Sequence, residues 1–341
     1  MRFNEGWAWA AIPLLSGGLT LTLTGQVLAF AQRRAIIDFP TDRSSHARPT
    51  PRGGGLAIVA GVLTALVVGV VGGIVPVGLG AGLGGGGLLV AWVGWRDDRQ
   101  GVPAGFRALV QFVAAIWAVA WLGGYPQLTA GSAPLALGLP GAVLAVVGIV
   151  WAVNLFNFMD GIDGLAAVEA VTVATCGTIL LGMRGDSGAS ALAAALAASA
   201  LAFLRWNWMP ARIFLGDVGS NFLGFSLAVL AIWSENNGGP PTILWGVAAM
   251  VFVVDATITL LRRWSRGENL VQAHRSHAYQ RLTQAGWSHA RVSLLILTIN
   301  LPLSALSIAF FALGGSPLTC LAGGLALALA WYVAAEKVHP M

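Results

Sequence analysis

The chain has 341 residues, 57% of them hydrophobic and only 10% charged, with a formal net charge of +5. A soluble domain carries about 25% charged residues, so the composition excludes an ordinary soluble protein and describes an integral membrane one. The basic excess is eighteen arginines and the single Lys337, and in a membrane protein it reports orientation before it reports nucleic-acid binding.

Eleven apolar stretches follow one another, near 7–31, 55–75, 78–95, 105–123, 138–156, 165–183, 188–204, 218–233, 241–261, 291–313 and 317–335. Each approaches the roughly 20 residues that cross a bilayer as a helix, and the alternation of a β-barrel is absent. They predict an all-α, polytopic transmembrane bundle, a single integral membrane domain over 1–341. Ala29-Phe30-Ala31 resembles a signal-peptidase site, but the run before it exceeds the usual h-region of about 7–15 residues. Arg33 and Arg34 follow that run, which predicts an uncleaved first helix with the N-terminus outside and the C-terminus inside. Alternating from there, only Arg2 and Arg184 of the 19 basic residues fall outside. The inner loops are then 32–54, 96–104, 157–164, 205–217 and 262–290. All five histidines, His46, His274, His277, His289 and His339, lie on the inner side.

The outer loops 181–188 and 234–241 read as plain turns. The glycine run 78–87 lacks the lysine of a phosphate loop and reads as close helix packing. Cys176 and Cys320 sit inside apolar runs and indicate neither a disulfide nor a metal site.

The inner loops carry the chemistry. In RPTPRGGG, Arg48 and Arg52 flank a proline-stiffened turn before three glycines and a helix start, which suits phosphate; a membrane anchor is the plainer account. In WRDDR, Asp97 and Asp98 end a span between Arg96 and Arg99, as a site or as interfacial ion pairs. In VNLFNFMDGIDGLA, Asn154, Asn157, Asp160 and Asp163 recur every third residue and drift slowly around one helix face. Gly161 and Gly164 leave backbone open beside them. A helix cap would account for one acid but not for two acids and two asparagines, and carboxylates beside hydrocarbon are costly and usually functional. In FLGDVGS, Asp217 and Ser220 begin an apolar helix, with an N-cap as the alternative for Asp217. Five acids on one face offer hard oxygen ligands, which favours Mg²⁺ or Mn²⁺ over zinc. His274 and His277, beside Arg275 and Arg281 in AHRSHAYQRL, lack the further ligands of a zinc site and suit phosphate contact or proton handling.

Acids for a hard cation, arginines for phosphate and adjacent hydrocarbon together point to phosphoryl transfer to or from a lipid. A transporter or flippase for an anionic lipid-linked or nucleotide substrate is the rival. It would place its ionisable groups near the midplane in broken helices of inverted repeats, whereas these acids sit at span ends on one side.

RSSHARPTPRGGGLAI, WRDD, NLFNFMDGIDGLA, IFLGDVGSNFLGF and HRSHAYQRL, in that order, resemble the polyprenyl-phosphate N-acetylhexosamine-1-phosphate transferases of glycosyltransferase family 4. The first loop and HRSHAYQRL look like the bacterial O-antigen-initiating branch. The resemblance implies attack by undecaprenyl phosphate on the β-phosphorus of a UDP-N-acetylhexosamine. UMP leaves, and a lipid-diphosphate sugar starts a cell-surface polysaccharide such as lipopolysaccharide O-antigen. It further implies Asp217 as the Mg²⁺ ligand and Asp97 and Asp98 as paired acids near the lipid phosphate, one of them a proposed base. Asn157, Asp160 and Asp163 match its nucleotide-side polar cluster, and His274 and His277 its histidine motif. Asn154, Arg48, Arg52, Ser220 and Arg275 complete the expected substrate contacts. The peptidoglycan enzyme of the family has three consecutive histidines where this chain has two split by Arg275 and Ser276. The expected setting is the bacterial inner membrane with the site facing the cytoplasm, with no nucleic-acid partner and a homodimer left open.

Overall fold

The computed structural model describes residues 5–40, 45–46, 48–131, 134–270, 272 and 274–341. Arg2 and Arg43 lie outside these residues. The described chain folds into thirteen helices: α1 (Glu5–Arg33), α2 (Gly55–Val71), α3 (Val77–Gln100), α4 (Ala104–Trp121), α5 (Gly138–Phe158), α6 (Leu165–Met183), α7 (Ser187–Asn207), α8 (Gly216–Asn236), α9 (Thr242–Ala248), α10 (Met250–Ser265), α11 (Ala278–Gln284), α12 (His289–Ala312) and α13 (Pro317–Val338). Two short antiparallel hairpins complete it, β1 (Ile37–Asp38) with β2 (Thr50–Pro51) and β3 (Gln127–Thr129) with β4 (Pro134–Ala136).

Every predicted apolar stretch is helical. Nine of the helices are individually long and apolar enough to cross a membrane, and α2 is shorter at 17 residues. The stretch 241–261 departs from a straight span. Ala249 leaves helical geometry (φ −96°, ψ 14°), and α9 and α10 meet at a bend of 81°.

The bundle is organised around α8. Of its most apolar stretch 89% is buried, against 22% for α1 and for α12, whose outer faces are left to lipid. α3, α5 and α2 pack on α8, and α6 and α7 join the first two helices to the last ones. Close approach of α3 to α8 rests on small residues: a Cβ on Gly86 would come within 2.3 Å of Phe225 Cζ. The glycine run is therefore a packing surface, as its sequence predicts.

The two ends of the bundle differ. At one end Glu235 is 1% exposed and accepts from Tyr125 Oη (2.6 Å), Thr242 N (2.8 Å) and Thr129 N. There Asp186 also caps α7 through Ala189 N at 3.0 Å and accepts from Trp233 Nε1 at 2.9 Å. These loops, expected to be plain turns, are pinned by the buried Glu235 and the half-buried Asp186, which satisfy backbone donors. At the other end the C-termini of α3, α5, α7 and α10 meet the N-termini of α2, α4, α6, α8, α11 and α12. That end holds the acids, arginines and histidines singled out above.

Candidate active site

The start of α8 fixes the site. The first N–H groups of a helix lack intrahelical partners. Here they are met from another helix: Asp98, at the end of α3, accepts Asp217 N at 2.9 Å and Val218 N at 3.1 Å. Gly216 has φ +76°, and a Cβ there would sit 2.5 Å from Asp98 Oδ2, so only glycine admits this cap. Asp217 is therefore not the cap of its own helix, and its carboxylate is turned to other partners.

Those partners are guanidiniums. Arg52 places Nη2 2.5 Å from Asp217 Oδ1 and Nε 2.7 Å from Asp98 Oδ1. Arg107, in the first turn of α4, bonds Asp97 Oδ2 and lies 3.3 Å from Asp217 Oδ2 with the same nitrogen. Asp97 also accepts Val102 N at 2.6 Å. Arg96 and Arg99, the sequence neighbours of the two acids, are exposed, and Arg99 stacks over Trp95 at 5.7 Å. The glycines after Arg52 are spent on packing. Gly54 N and Gly55 N donate to Phe214 O and Leu215 O, each at 2.9 Å, and a Cβ on Gly55 would meet Gly219 Cα at 2.2 Å. Arg48 is exposed.

Beside this knot lies a cleft of about 160 Å³, walled by the first loop (Ser45, His46, Arg52), the turn 160–163, Asn207, the segment 214–216, Gln280 and His289. The edge of His46 meets Phe214 at 4.8 Å. The third-residue repeat does not stay on one helix. α5 ends at Phe158, and α6 restarts after Gly164 at φ +77°. Within α5, Asn154 faces Gln111 on α4 (2.8 Å) and Val150 O, outside the cleft, while Asn157 reaches Ser220 at 3.4 Å.

Asp160 and Asp163 enter the cleft wall with different commitments. Asp163 accepts Ala211 N at 3.0 Å, faces His289 Nδ1 at 3.4 Å, and its carbonyl takes Ser293 Oγ at 3.2 Å. The carboxylate of Asp160 has no hydrogen-bond partner among the described residues. Burial pushes its carboxyl well above the usual range against the pull of Arg52, with Asp217, Asp98 and Asp163 adding to the upward push.

The histidines sit behind the cleft. His277 is buried, 3.3 Å from Asp255 Oδ1, and Asp255 also accepts Ala278 N (2.8 Å) and Tyr279 N (3.2 Å) at the start of α11. Tyr279 in turn donates to Phe158 O at 3.0 Å. The His274 ring is 4.9 Å from that of His277. Burial, with His277 and Arg263 nearby, lowers its pKa to about 4, so it is neutral at pH 7. Arg275 lines a second cleft of about 270 Å³ with Trp287. Arg281 turns away to Glu336 at 2.7 Å and anchors the end of α13.

Arg107, Asn207, Asp255, Gln280 and His289 were not singled out by their sequence. Asp255 carried a usable signal, a lone acid inside an apolar span. Arg107 carried only its share of the inner charge, because the loop between it and Asp97 hides their contact.

Among the described residues no group of three or more His, Cys, Asp or Glu side chains forms a cation cage. Mg²⁺ does not require one, since it takes one or two carboxylates and completes its shell with phosphate oxygens and water. Asp97 and Asp217, which share the positive charge of one Arg107 nitrogen, are a donor set of that kind.

An apolar bundle whose acids and guanidiniums converge at one end is a polytopic membrane protein built to manage anionic groups at a bilayer surface. Residues 81–235 match the family model of Glycosyl transferase family 4. The chain is 32% identical to the decaprenyl-phosphate N-acetylglucosaminephosphotransferase of Mycobacterium leprae over 321 residues, covering 84% of this chain and 80% of that one. It is 31% identical to a Bacillus subtilis protein named "probable undecaprenyl-phosphate N-acetylglucosaminyl 1-phosphate transferase", over 81% of this chain and 77% of that one. It is also 31% identical to the phospho-N-acetylmuramoyl-pentapeptide-transferase of Chloroflexus aggregans, but over only 35% of this chain. The chain belongs to glycosyl transferase family 4.

Proposed function

We propose that this protein transfers an N-acetylhexosamine-1-phosphate from a UDP-sugar to undecaprenyl phosphate at the cytoplasmic face of a bacterial inner membrane. A phosphate oxygen of the lipid forms a bond to the β-phosphorus of the donor. The bond from that phosphorus to the bridging oxygen breaks, and UMP leaves with the electron pair. The observation that carries this reading is the convergence of Arg52, Arg107, Asp97, Asp98 and Asp217 beside a polar cleft.

Two anionic substrates repel each other, and phosphoryl transfer needs positioning and charge stabilisation above all. Arg52 and Arg107 supply positive charge next to the cleft. Asp217, with Asp97 beside it, would hold Mg²⁺, which supplies charge stabilisation at the diphosphate. Asp98 is fully engaged by two amides and Arg52 with a buried side chain, so Asp97 is the better placed of the pair to meet the lipid phosphate. Asp160, uncommitted in the cleft wall, faces the nucleotide side with Phe214.

A third cavity supports a lipid acceptor. It is about 350 Å³, almost wholly apolar, and lies between α5, α8 and the α9–α10 bend. Leu155 and Phe156 line its inner end, next in sequence to Asn157. A prenyl chain along it would present its phosphate toward the acid–arginine knot.

Purified protein given undecaprenyl phosphate and a panel of UDP-sugars should release UMP with at least one of them. Label transported across proteoliposomes with no UMP released would establish the transporter reading in its place.

A further inference from the structure

His289 is the first residue of α12, yet it does not cap that helix: Ser288 does, accepting Arg291 N at 3.2 Å. Its imidazole instead forms the partition between the two polar clefts. Ser45 and His289 are the residues common to both linings, with Asp160 and Arg52 on one side and Arg275 and Trp287 on the other.

The hydrogen bonding of the ring is determined by its neighbours. Nε2 lies 3.1 Å from Ser45 O, and a carbonyl only accepts, so Nε2 carries the proton. Nδ1 lies 3.4 Å from both Asp163 N and Asp163 Oδ1, so the aspartate turn meets the ring through its backbone N–H, to which the neutral ring offers a lone pair, and through its carboxylate. One side chain thereby joins the loop that carries Arg52 to the turn that carries Asp160. Lower on the same helix, Ser293 Oγ donates to Asp163 O at 3.2 Å. Asn300 bonds Glu169 Oε2 at 2.5 Å and Thr172 Oγ1 at 3.2 Å. α12 thus grips the aspartate turn and the first turns of α6 along one face, and His289 extends that grip across to the first loop.

We propose that His289 is a positioning residue of the donor cleft. By bridging Ser45 and Asp163 it sets the width between Arg52 and Asp160, and with it the affinity for the nucleotide, without touching the reacting atoms. The inference rests on the donor-cleft reading given above. Both walls are irregular backbone, and a ligand that must order them on arrival binds more weakly than one entering a preformed cleft.

The test uses the full-length protein in detergent and reads UMP affinity by calorimetry, together with KM and kcat for the donor. His289→Ala should weaken UMP binding and raise donor KM by about tenfold, with kcat at saturating donor held within about threefold. His289→Asn keeps an amide at the Nδ1 position and reaches Asp163. His289→Gln keeps one at the Nε2 position and reaches Ser45. Each should fall between wild type and His289→Ala. Wild-type affinity in His289→Ala, a loss of kcat at unchanged KM, or amide variants no better than alanine would overturn the role. If His289→Ala does not fold, the amide variants decide: UMP affinity below wild type in both supports the bridge, and wild-type affinity in either refutes it. A wild-type protein that neither binds nor releases UMP would instead remove the donor-cleft reading, which keeps the two failures apart.

Discussion

Arg52 and Asp217, separated by 165 positions in sequence, meet with Nη2 2.5 Å from Oδ1. The contact joins the first inner loop to the start of the central helix. It leaves Asp217 facing guanidiniums, because Asp98 has taken over the capping of α8.

Asp217→Asn should therefore keep the helix start and lose the charge. Loss of several kcal/mol of transition-state stabilisation lowers turnover by roughly a thousandfold. EDTA should silence the wild type, with Mg²⁺ or Mn²⁺ restoring it. Near-normal UMP release by the variant, or indifference to EDTA, would remove Asp217 from the metal.

The two arginines of the first loop should separate. Arg52→Ala strips Asp98 and Asp217 of a shared counter-charge, and breaking such a partly buried network costs about 3 kcal/mol. It should lower thermal stability and activity together. Among the described residues Arg48 has no side-chain ion pair, and Arg48→Ala should leave the melting temperature unchanged while raising donor KM. An equal fall in melting temperature for both would contradict this division.

Asp160→Asn should stabilise the protein while slowing it. The folded carboxyl sits well above its unfolded value near 3.8. The native state therefore binds the extra proton, and the associated stability is present below pH 3.8 and lost as pH rises toward the folded value. Removing the titration should flatten that decline, so the melting curves of wild type and variant diverge as pH rises above 3.8. Parallel curves would show that the carboxylate is better solvated than its surroundings imply.

His274 has the opposite sign of effect. Its folded value of about 4 lies below the ordinary 6.5, so the unfolded chain takes up the proton first as pH falls. Stability should drop between pH 6.5 and 4 in the wild type and drop less in His274→Asn. Thermal melts across that interval read the difference directly.

Orientation is testable by labelling. Cysteine at Arg184, exposed on the end opposite the cleft, should react with an impermeant reagent from the periplasm. Cysteine at Glu268 should react only after the inner face is opened. Labelling of both from one side would require a different number of crossings.

The helices were legible because a bilayer imposes both length and apolarity, and both are written residue by residue. The face that holds the site was legible from charge alone. Its internal wiring was not. Asp217 reads as a local cap and Asp98 as part of an interfacial ion-pair cluster, and only the packing of α3 on α8 shows that Asp98 caps the start of α8. The repeat from Asn154 to Asp163 suggested one face, but α5 ends at Phe158, so Asp160 and Asp163 leave the helix while Asn154 stays on it and faces α4. The α9–α10 bend had no proline to announce it. Arg107 and His289 find their partners through contacts that no local pattern encodes.

The cap that α3 places on α8 also constrains biosynthesis. Asp98 is made and inserted well before residues 216–218 emerge, and four helices, α4 to α7, enter the membrane in the interval. Among the described residues the cation paired with it is Arg52, and the two amides that complete its shell do not yet exist. Until α8 is made, the acid at the end of α3 lacks the two backbone donors that it accepts from in the finished fold. Arrival of the central helix thus closes the bundle and assembles the acid–arginine knot in one step, so a chain truncated before residue 216 carries the motif of the second inner loop without its geometry.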